Sequence, residues 1–262
     1  MMKQSKKISV VMVTFNSKRF IKLSIDSVIK QTYKNWELFI INDGSTDNTK
    51  NIVNKYYNYK NIKLINLKKN VGAYKATDLG FNLCRGEYVA ILDSDDVSHP
   101  NRFEHQVRIL NNNSSVALVA TWVKIIDSKN KVIRKILAPI EENLFANRFP
   151  CNNLICNSSV MFRREILRKI SFYDKNISYS YDYNFFLKIF IKYKIRILNK
   201  FYTSSRVHVN QISRLKKMQK IIYKENLKHL KWSKNHSLIN INNIFLYYKN
   251  YFINYFKLFL SY

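Results

Sequence analysis

Short apolar runs alternate with segments of helical periodicity over the first hundred residues, and this alternation constrains the fold most strongly. The apolar runs are Ile8–Phe15, Trp36–Ile41, Ile62–Leu67 and Glu87–Asp93. Between the last two, the spacing of apolar residues predicts a helix over Gly72–Cys84. Strands with little polar alternation are typical of a parallel sheet that helices cover on both faces. The sequence therefore predicts an α/β fold.

The pattern changes after Pro100. The elements predicted there are a helix over 101–113, a β-hairpin over Val116–Ile136, a strand and helix over Asn157–Ile170, and a helix over Tyr181–Tyr193. With 262 residues, the chain is long enough for one substantial α/β domain with an appendage. We expect a catalytic domain over 1–213, with halves 1–100 and 101–213, and a tail over 214–262.

Polar clusters follow three of the predicted strands at the point where each ends. They are Thr14-Phe15-Asn16, Asn42-Asp43-Gly44 and the run Asp93 to Asp96. Ligands of open α/β sheets bind at the carboxyl ends of the strands, where these loops converge. The sequence therefore predicts one site at this edge of the sheet.

The run "LDSDD" places three carboxylates within four residues at the end of an apolar strand. Carboxylates this close repel one another unless a cation lies between them. Oxygen ligands beside an open rim suit Mg²⁺ or Mn²⁺, which typically combines one or two protein carboxylates with substrate phosphates. The alternative is an ordinary turn, because Asp and Ser favour turns. Asp96 is predicted to cap the following helix.

Five segments in order and spacing resemble the family two glycosyltransferases of GT-A fold. They are "VVMVTFN", "FIINDGSTDNT", "NVGAYKATDLG", "GEYVAILDSDDVSHP" and "NSSVMFRRE". The resemblance covers residues 8 to 210. It implies a Rossmann-like, mostly parallel sheet flanked by helices, and an inverting transferase that uses a nucleotide-sugar, UDP-linked in our prediction, with Mn²⁺ or Mg²⁺.

The resemblance also implies roles for residues of the donor site. Thr14, Phe15 and Asn16 would line the nucleobase pocket, and Asp43 would accept a hydrogen bond from a uracil-like base. The alternative for Asp43 is an Asx-type turn within its own loop.

Further roles concern the ribose, the metal and the diphosphate. Asp93 would lie near the ribose, and Asp95 would bind the metal, joined by His208 if that histidine is not merely structural. Where the family often has Ala-Arg-Asn, this chain has Ala76-Thr77-Asp78, so a positive charge is missing. Lys75 could supply it, or could be a solvated lysine.

An inverting transferase needs a base that deprotonates the acceptor hydroxyl. In the family this is usually the Asp of a Glu-Asp pair that opens a helix, and the resemblance places Asp182 there, with Tyr181 in place of Glu. The alternative is that Asp182 only caps this helix. Asp174 is the nearest rival.

The tail carries ten Lys/Arg against one Glu over 214–262. A basic stripe at helical spacing comprises Lys216, Lys220, Lys224, Lys228 and Lys231, and an aromatic stripe comprises Phe245, Tyr248, Phe252, Phe256 and Phe259. This order is typical of a segment that lies on an anionic membrane surface. The alternatives are packing on the catalytic domain and contact with a second copy of the chain.

The net charge of +28 attracts polyanions but does not say which. The predicted partners are a nucleotide-sugar donor and a glycan or lipid-linked acceptor of bacterial surface polysaccharide synthesis. No specific nucleic acid is expected, since no RNA-binding motif is visible. The odd count of three cysteines indicates a reduced, cytoplasmic protein. The tail and the resemblance together imply that the protein is peripheral on the inner face of the cytoplasmic membrane. A nucleic-acid-binding protein and a catalytically silent scaffold are the alternatives.

Overall fold

A computed structural model of the chain describes residues 6–172, 174, 176–209, 211 and 216–259. Its first half contains four strands in one parallel sheet. They are β1 (Ile8–Thr14), β2 (Trp36–Asn42), β3 (Ile62–Asn66) and β4 (Tyr88–Ile91), in the order β3-β2-β1-β4. The helices between them are α1 (Ile21–Ile29), α2 (Thr49–Asn54) and α3 (Ala73–Leu83). The predicted alternation of strand and helix is confirmed.

The second half extends the same sheet with mixed strand directions. Its elements are β5 (Val97–Ser98), α4 (Arg102–Asn112), β6 (Val116–Ile126), β7 (Val132–Ile136), α5 (Glu142–Arg148), β8 (Met161–Arg163), α6 (Ile166–Lys169), α7 (Tyr181–Lys192) and β9 (Lys194–Arg206). The order continues from β4 as β8-β6-β9-β5, with β8 antiparallel to both neighbours and β6 parallel to β9. The predicted hairpin is confirmed, since β7 pairs antiparallel with β6.

Strand residues alternate between two cores on opposite faces of the sheet, which explains why the strands lack polar alternation. Val10 and Met12 of β1 pack on one face in a cluster that includes Ile25 of α1. Val11 points to the other face, in a cluster that includes Phe185 of α7. Both faces are therefore covered, and ligands can approach the sheet at the edges where the strands end.

The tail forms two helices, α8 (Lys216–Asn235) and α9 (Ile244–Phe259), which contact the remainder of the chain. Leu230 of α8 and Tyr247 of α9 are buried together with Cys151. Asn250 of α9 donates a hydrogen bond to the Cys151 carbonyl oxygen at 3.2 Å. Packing on the catalytic part is therefore observed for one side of the tail. Within the described residues no helix combines the length and apolar character that crossing a bilayer requires.

Candidate active site

The loops that follow β1, β2 and β4 are hydrogen-bonded to one another. The Ser17 and Ser94 hydroxyls lie 2.9 Å apart and join the β1 loop to the acid loop, by which we mean residues 93–96. Asn16, in a left-handed conformation with φ 52°, accepts the Thr46 amide at 2.8 Å and joins the β1 loop to the β2 loop. The three predicted loops thus meet at one rim.

The predicted nucleobase residues differ in how they are engaged. Thr14 is buried, and its hydroxyl has no hydrogen-bond partner within the described part of the chain. Phe15 is 41% exposed. Asn16 uses its side chain in the loop contact described above. Phe15 is thus accessible to a ligand, whereas the Asn16 side-chain oxygen is already engaged by the β2 loop.

Asp43 is buried and fixes the start of α3. Its carboxylate accepts the Val71 amide at 2.7 Å and the Gly72 amide at 3.0 Å. The turn of its own loop is instead closed by Asn42, whose side-chain oxygen accepts the Ser45 amide. The local turn proposed as the alternative for Asp43 is therefore formed by its neighbour. A role for Asp43 toward a nucleobase stays a prediction.

Gly44 allows the β2 loop to approach the segment before α3. Its φ is +69°, and a Cβ here would lie 2.6 Å from the Asn70 backbone nitrogen. Any other residue would be strained by the backbone conformation and would push this segment away. The glycine of "NDGSTD" therefore brings Asp43 within hydrogen-bond range of the Val71 and Gly72 amides.

Asp93 is held in the acid loop by the segment before β8. The Asn157 side chain donates to the Asp93 carboxylate at 3.1 Å, and the Ser158 hydroxyl accepts the Asp93 amide at 2.9 Å. Burial, followed by the charge of Asp95, raises the pKa of Asp93 well above its usual range. A cation at this rim would favour the ionised form of Asp93 and so lower its pKa again.

The prediction that Asp96 caps the next helix is wrong. Helix α4 begins at Arg102, with Asn101 at its N-cap. Asp96 is instead buried and accepts the backbone amide of Arg206, at the end of β9, at 2.7 Å. Burial, followed by the charge of Asp95, raises the pKa of Asp96 well above its usual range. Its role is to join the acid loop to β9.

The Arg206 guanidinium strengthens this junction. It donates to the backbone carbonyl oxygens of Asp95 and Asp127, each at 2.8 Å, and lies 4.6 Å from the centre of the Phe20 ring. The side chain is fully buried. Sequence reasoning missed Arg206, although it stands two residues before the histidine that was singled out. A single arginine in a polar stretch carries no signal of burial.

The two predicted metal ligands lie side by side. The Asp95 carboxylate and the His208 Nε2 are 3.0 Å apart, and both side chains are partly exposed at 19% and 16%. Within the described residues, no cluster of three or more His, Cys, Asp or Glu is arranged to hold a metal ion. One carboxylate and one imidazole with open positions fit a divalent ion whose other ligands come from substrate phosphates and water.

Asp182 lies in the first turn of α7, two residues after the N-cap position, which Ser180 occupies. Asp182 is therefore not the helix cap. Burial raises its pKa to about 6. Its charge also raises the pKa of Asp93, so the predicted base and the acid loop lie close to each other. Tyr181, which replaces the usual Glu, stacks on Tyr74 of α3 with ring centres 5.2 Å apart.

The remaining predicted residues lie beside this rim. Lys75 is exposed on α3, and burial raises the pKa of Asp78 on the same helix. Asp174 accepts the Asn176 amide at 3.0 Å, and its carboxylate lies 3.9 Å from Lys188. These contacts favour a structural role for Asp174. In the stretch 204–213 around His208, residues 210, 212 and 213 lie outside the described residues.

Two further residues were missed by sequence reasoning. Arg102 is fully buried and donates to the carbonyl oxygens of Ile91 and Val160, at the end of β4 and before β8. Glu225 of α8 binds the segment before α7 and contributes to the raised pKa of Asp182. Glu225 is the single acidic residue of the tail, which is the signal that could have drawn attention to it.

Comparison with known proteins is consistent with this geometry. An uncharacterized glycosyltransferase of Methanocaldococcus jannaschii is 30% identical, over 82% of this chain and 77% of that protein. An Escherichia coli UDP-Glc:α-D-GlcNAc-diphosphoundecaprenol β-1,3-glucosyltransferase, WfgD, is 30% identical over 79% of this chain and 78% of that protein. Other relatives are longer, and the chain spans 65% of an uncharacterized glycosyltransferase of Rickettsia prowazekii.

Solved structures share the fold. Staphylococcus aureus TarS 1–349 in complex with UDP-GlcNAc superposes with a TM-score of 0.69 at 20% identity, over 86% of this chain and 66% of that one. The mannosyltransferase PcManGT from Pyrobaculum calidifontis, in complex with GDP-Man and Mn²⁺, superposes with a TM-score of 0.71 at 14% identity. The match covers 99% of this chain and 74% of that one. These likenesses confirm the predicted GT-A architecture.

The sequence profile described as Glycosyl transferase family 2 matches residues 9–171, which hold β1 to β8 and the whole acid loop. The chain belongs to glycosyl transferase family 2.

Proposed function

We propose that the chain is an inverting glycosyltransferase that moves a sugar from a UDP-linked donor to a hydroxyl of a glycan or lipid-linked acceptor. One observation carries the proposal. Asp182, with a pKa of about 6, lies close to an acid loop whose Asp95 is paired with His208. A base and a donor-binding acid loop on one rim are what direct transfer from a nucleotide-sugar requires.

The donor occupies the rim formed by the loops after β1, β2 and β4 in this proposal. Phe15 is exposed for contact with the base, and the Thr14 hydroxyl is free to bond it. Asp43 keeps lone pairs beyond the two amides that it accepts, so it can also receive the imide N–H of a uracil. Asp93 faces the ribose, and Lys75 is available to the diphosphate.

A divalent ion, Mn²⁺ or Mg²⁺, would be held by Asp95 and His208. When bound, such an ion neutralises the charge that develops on a departing nucleoside diphosphate. The two side chains that would hold the ion are themselves held in place, because Arg206 hydrogen-bonds to the Asp95 backbone and Phe20 packs on the His208 ring. The position of the ion relative to the diphosphate is thereby fixed. The PcManGT structure, which contains GDP-Man and Mn²⁺, supports a divalent ion in this fold.

The acceptor hydroxyl transfers its proton to the Asp182 carboxylate as it attacks the anomeric carbon. With a pKa of about 6, Asp182 is largely ionised at neutral pH and still basic enough to take that proton. Attack from the side opposite the nucleotide gives inversion in one displacement. WfgD takes UDP-Glc as donor and a diphosphoundecaprenol-linked acceptor, and TarS was solved with UDP-GlcNAc, which supports a UDP-linked donor and a lipid-linked acceptor here. We propose bacterial surface polysaccharide synthesis as the pathway.

The test is calorimetric titration of UDP with and without Mn²⁺. We expect binding in the wild type that requires the metal and that Asp95→Ala abolishes. The control is Glu165→Ala, an exposed carboxylate paired with Lys169 near the opposite ends of the strands. A panel of UDP-sugars follows, with product release as the readout. Silence with UDP, GDP, dTDP and CMP would sink the enzyme proposal and favour a catalytically silent scaffold.

The same proposal places the tail, residues 214–262, on an anionic membrane surface. Helix α9 exposes five of its aromatic residues, which are Phe245, Tyr248, Phe252, Tyr255 and Phe256. Lys249 and Lys257 are exposed on the same helix, and Lys231 and Lys234 line an open cleft between α8 and α9. Exposed rings beside lysines suit the headgroup boundary of an anionic bilayer. The Lys216 and Phe259 side chains lie outside the described residues.

Vesicle co-sedimentation tests this placement, which would make the protein peripheral on the cytoplasmic face. Phe252→Ser with Phe256→Ser should release the protein from vesicles that contain phosphatidylglycerol. The control is Tyr57→Ser, an aromatic residue that is 85% exposed after α2. Retention of the double variant on the vesicles would overturn the role of the aromatic face in membrane binding. A concentration-dependent dimer that the double variant dissolves would assign this face to a second copy instead.

A further inference from the structure

The tail helix α8 is hydrogen-bonded to the segment that leads into α7. The Glu225 carboxylate accepts the backbone amides of Ser178 at 2.6 Å, Tyr179 at 3.0 Å and Ser180 at 2.8 Å. It also accepts the Ser180 hydroxyl at 2.8 Å. Glu225 is 3% exposed. Four hydrogen bonds from three consecutive residues make this carboxylate the anchor of the segment.

His229, one turn along α8, completes the contact. Its Nε2 lies 2.7 Å from the Ser180 hydroxyl oxygen. Because that hydroxyl donates its proton to Glu225, it accepts from His229, so the imidazole carries a proton on Nε2. Burial lowers the pKa of His229 to about 4, so the ring is neutral at pH 7. The ring also packs edge-on against Tyr183 of α7.

Helix α7 lacks a cap of its own. Ser180 at its N-cap makes no side-chain hydrogen bond to the first turn, and it is followed directly by Tyr181 and Asp182. Amides at and before a helix start must find partners outside the helix, and a carboxylate there is also favoured by the helix dipole. Glu225 supplies this carboxylate from a distance of 45 residues in the chain.

We propose that Glu225 and His229 are positioning residues for the acceptor base, acting through Ser180 on the first turn of α7. The inference depends on the proposed function, in which Asp182 is that base. In this proposal, helix α8 of the tail holds Asp182 in its working position. This role is separate from any contact that the tail makes with a membrane or a second copy of the chain.

The charged and titratable groups around Asp182 set the sign of the expected pH effect. They are Asp93 of the acid loop, Tyr181 beside it, Glu225 of α8, and, behind Glu225, His229 and Asp174. Burial raises the pKa of Asp182 most, and the Glu225 charge raises it further. Removing that charge should therefore shift the acid limb of the rate profile to lower pH.

The test compares Glu225→Gln and Ser180→Ala with two controls on α8. Lys224→Gln is exposed and next in sequence, and Leu230→Ala removes a buried contact with the Cys151 cluster without touching Ser180. Hydrogen exchange at residues 178–184 should rise at least about tenfold in Glu225→Gln and Ser180→Ala and not in Lys224→Gln. This readout does not require activity.

Kinetics then separate positioning from general destabilisation. For release of UDP from UDP-glucose in Mn²⁺, Glu225→Gln should lower kcat about tenfold or more with little change in donor KM, and should move the acid limb to lower pH. Leu230→Ala should lower stability and leave the acid limb in place. His229→Gln, which keeps an N–H donor, should retain more activity than His229→Phe.

The outcomes distinguish the two proposals. An inactive wild type that binds no nucleotide overturns the proposed function. An active wild type with unchanged exchange and an unchanged profile in Glu225→Gln overturns the positioning role alone. A profile that shifts equally in Leu230→Ala would also overturn it, because the shift would then report loosened packing of the tail.

Discussion

At the residue scale, the acid loop concentrates more negative charge than a buried site stabilises. Asp93 and Asp96 both have raised pKa values, with burial as the first cause and Asp95 as the second. Asn157 and Ser158 hydrogen-bond to Asp93, but within the described residues no lysine or arginine side chain forms an ion pair with it. The loop is therefore less stable without a cation, as expected if the proposed function is correct.

Asp93→Asn should therefore stabilise the metal-free protein. A carboxyl whose folded pKa is raised contributes stability below its unfolded pKa, and this stability is lost as the pH rises through the folded pKa. The substitution should raise the unfolding free energy by about 1 kcal/mol or more at neutral to alkaline pH, and by less near pH 5. Thermal unfolding at neutral to alkaline pH and near pH 5 measures this change in stability. The transferase activity of the variant should fall. A variant less stable than the wild type at alkaline pH would contradict the argument.

Asp182→Asn should abolish transfer without weakening the donor site. Loss of a general base typically costs about 10²–10⁴ in rate. Since burial raises the pKa of Asp182 to about 6, kcat/KM of the wild type should fall as the pH drops below about 6, where the base becomes protonated. Rates across pH and calorimetry with UDP and Mn²⁺ test both statements. The matched control is Asp174→Asn, and if that variant lost more activity, Asp174 would be the better base.

At the scale of elements, β1, β2 and β4 were predictable because nearly all of their residues are buried and most are apolar. Strand β9 was not, since its 13 residues include four Lys/Arg and few are buried. Yet β9 carries Arg206 and leads to His208, so half of the metal pair depends on an unpredicted strand. The Glu225 contact was also beyond prediction, because it joins residues 45 apart through packing. The polar loops at strand ends were located because the parallel topology alone brings them together.

The end of β9 should prove essential to the acid loop. Arg206→Met would leave the Asp95 and Asp127 carbonyl oxygens without their donor and would remove a buried charge beside Asp96. We expect the unfolding free energy to fall by about 3 kcal/mol, as measured by urea denaturation. UDP–Mn²⁺ affinity should fall as well, because Asp95 loses its anchor. Arg134→Met on the exposed strand β7 is the control and should change neither quantity.

At the scale of the whole molecule, charge is segregated by depth. The site carries buried or half-buried carboxylates, whereas the chain as a whole has a net charge of +28. The basic excess lies on exposed side chains such as Lys224, Lys228 and Lys231 of α8. A basic exterior attracts anionic partners over long range, and in the proposed function the acid loop binds metal-bound nucleotide at short range. The two kinds of binding should therefore differ in their dependence on salt concentration.

Polyanion binding should be steeply salt-dependent, and donor binding should not. We expect tRNA to bind weakly at about 50 mM salt and to be released by about 300 mM, because each neutralised phosphate gives back a counterion. UDP with Mn²⁺ should bind at both salt concentrations, since its proposed contacts are short-range and the metal pair, Asp95 and His208, is half-buried. A competition experiment distinguishes the two kinds of binding. Added UDP should leave RNA binding unchanged, and the Asp95→Ala variant should no longer bind UDP but should still bind RNA. RNA that persists at about 300 mM salt, or that UDP displaces, would instead favour a nucleic-acid-binding protein.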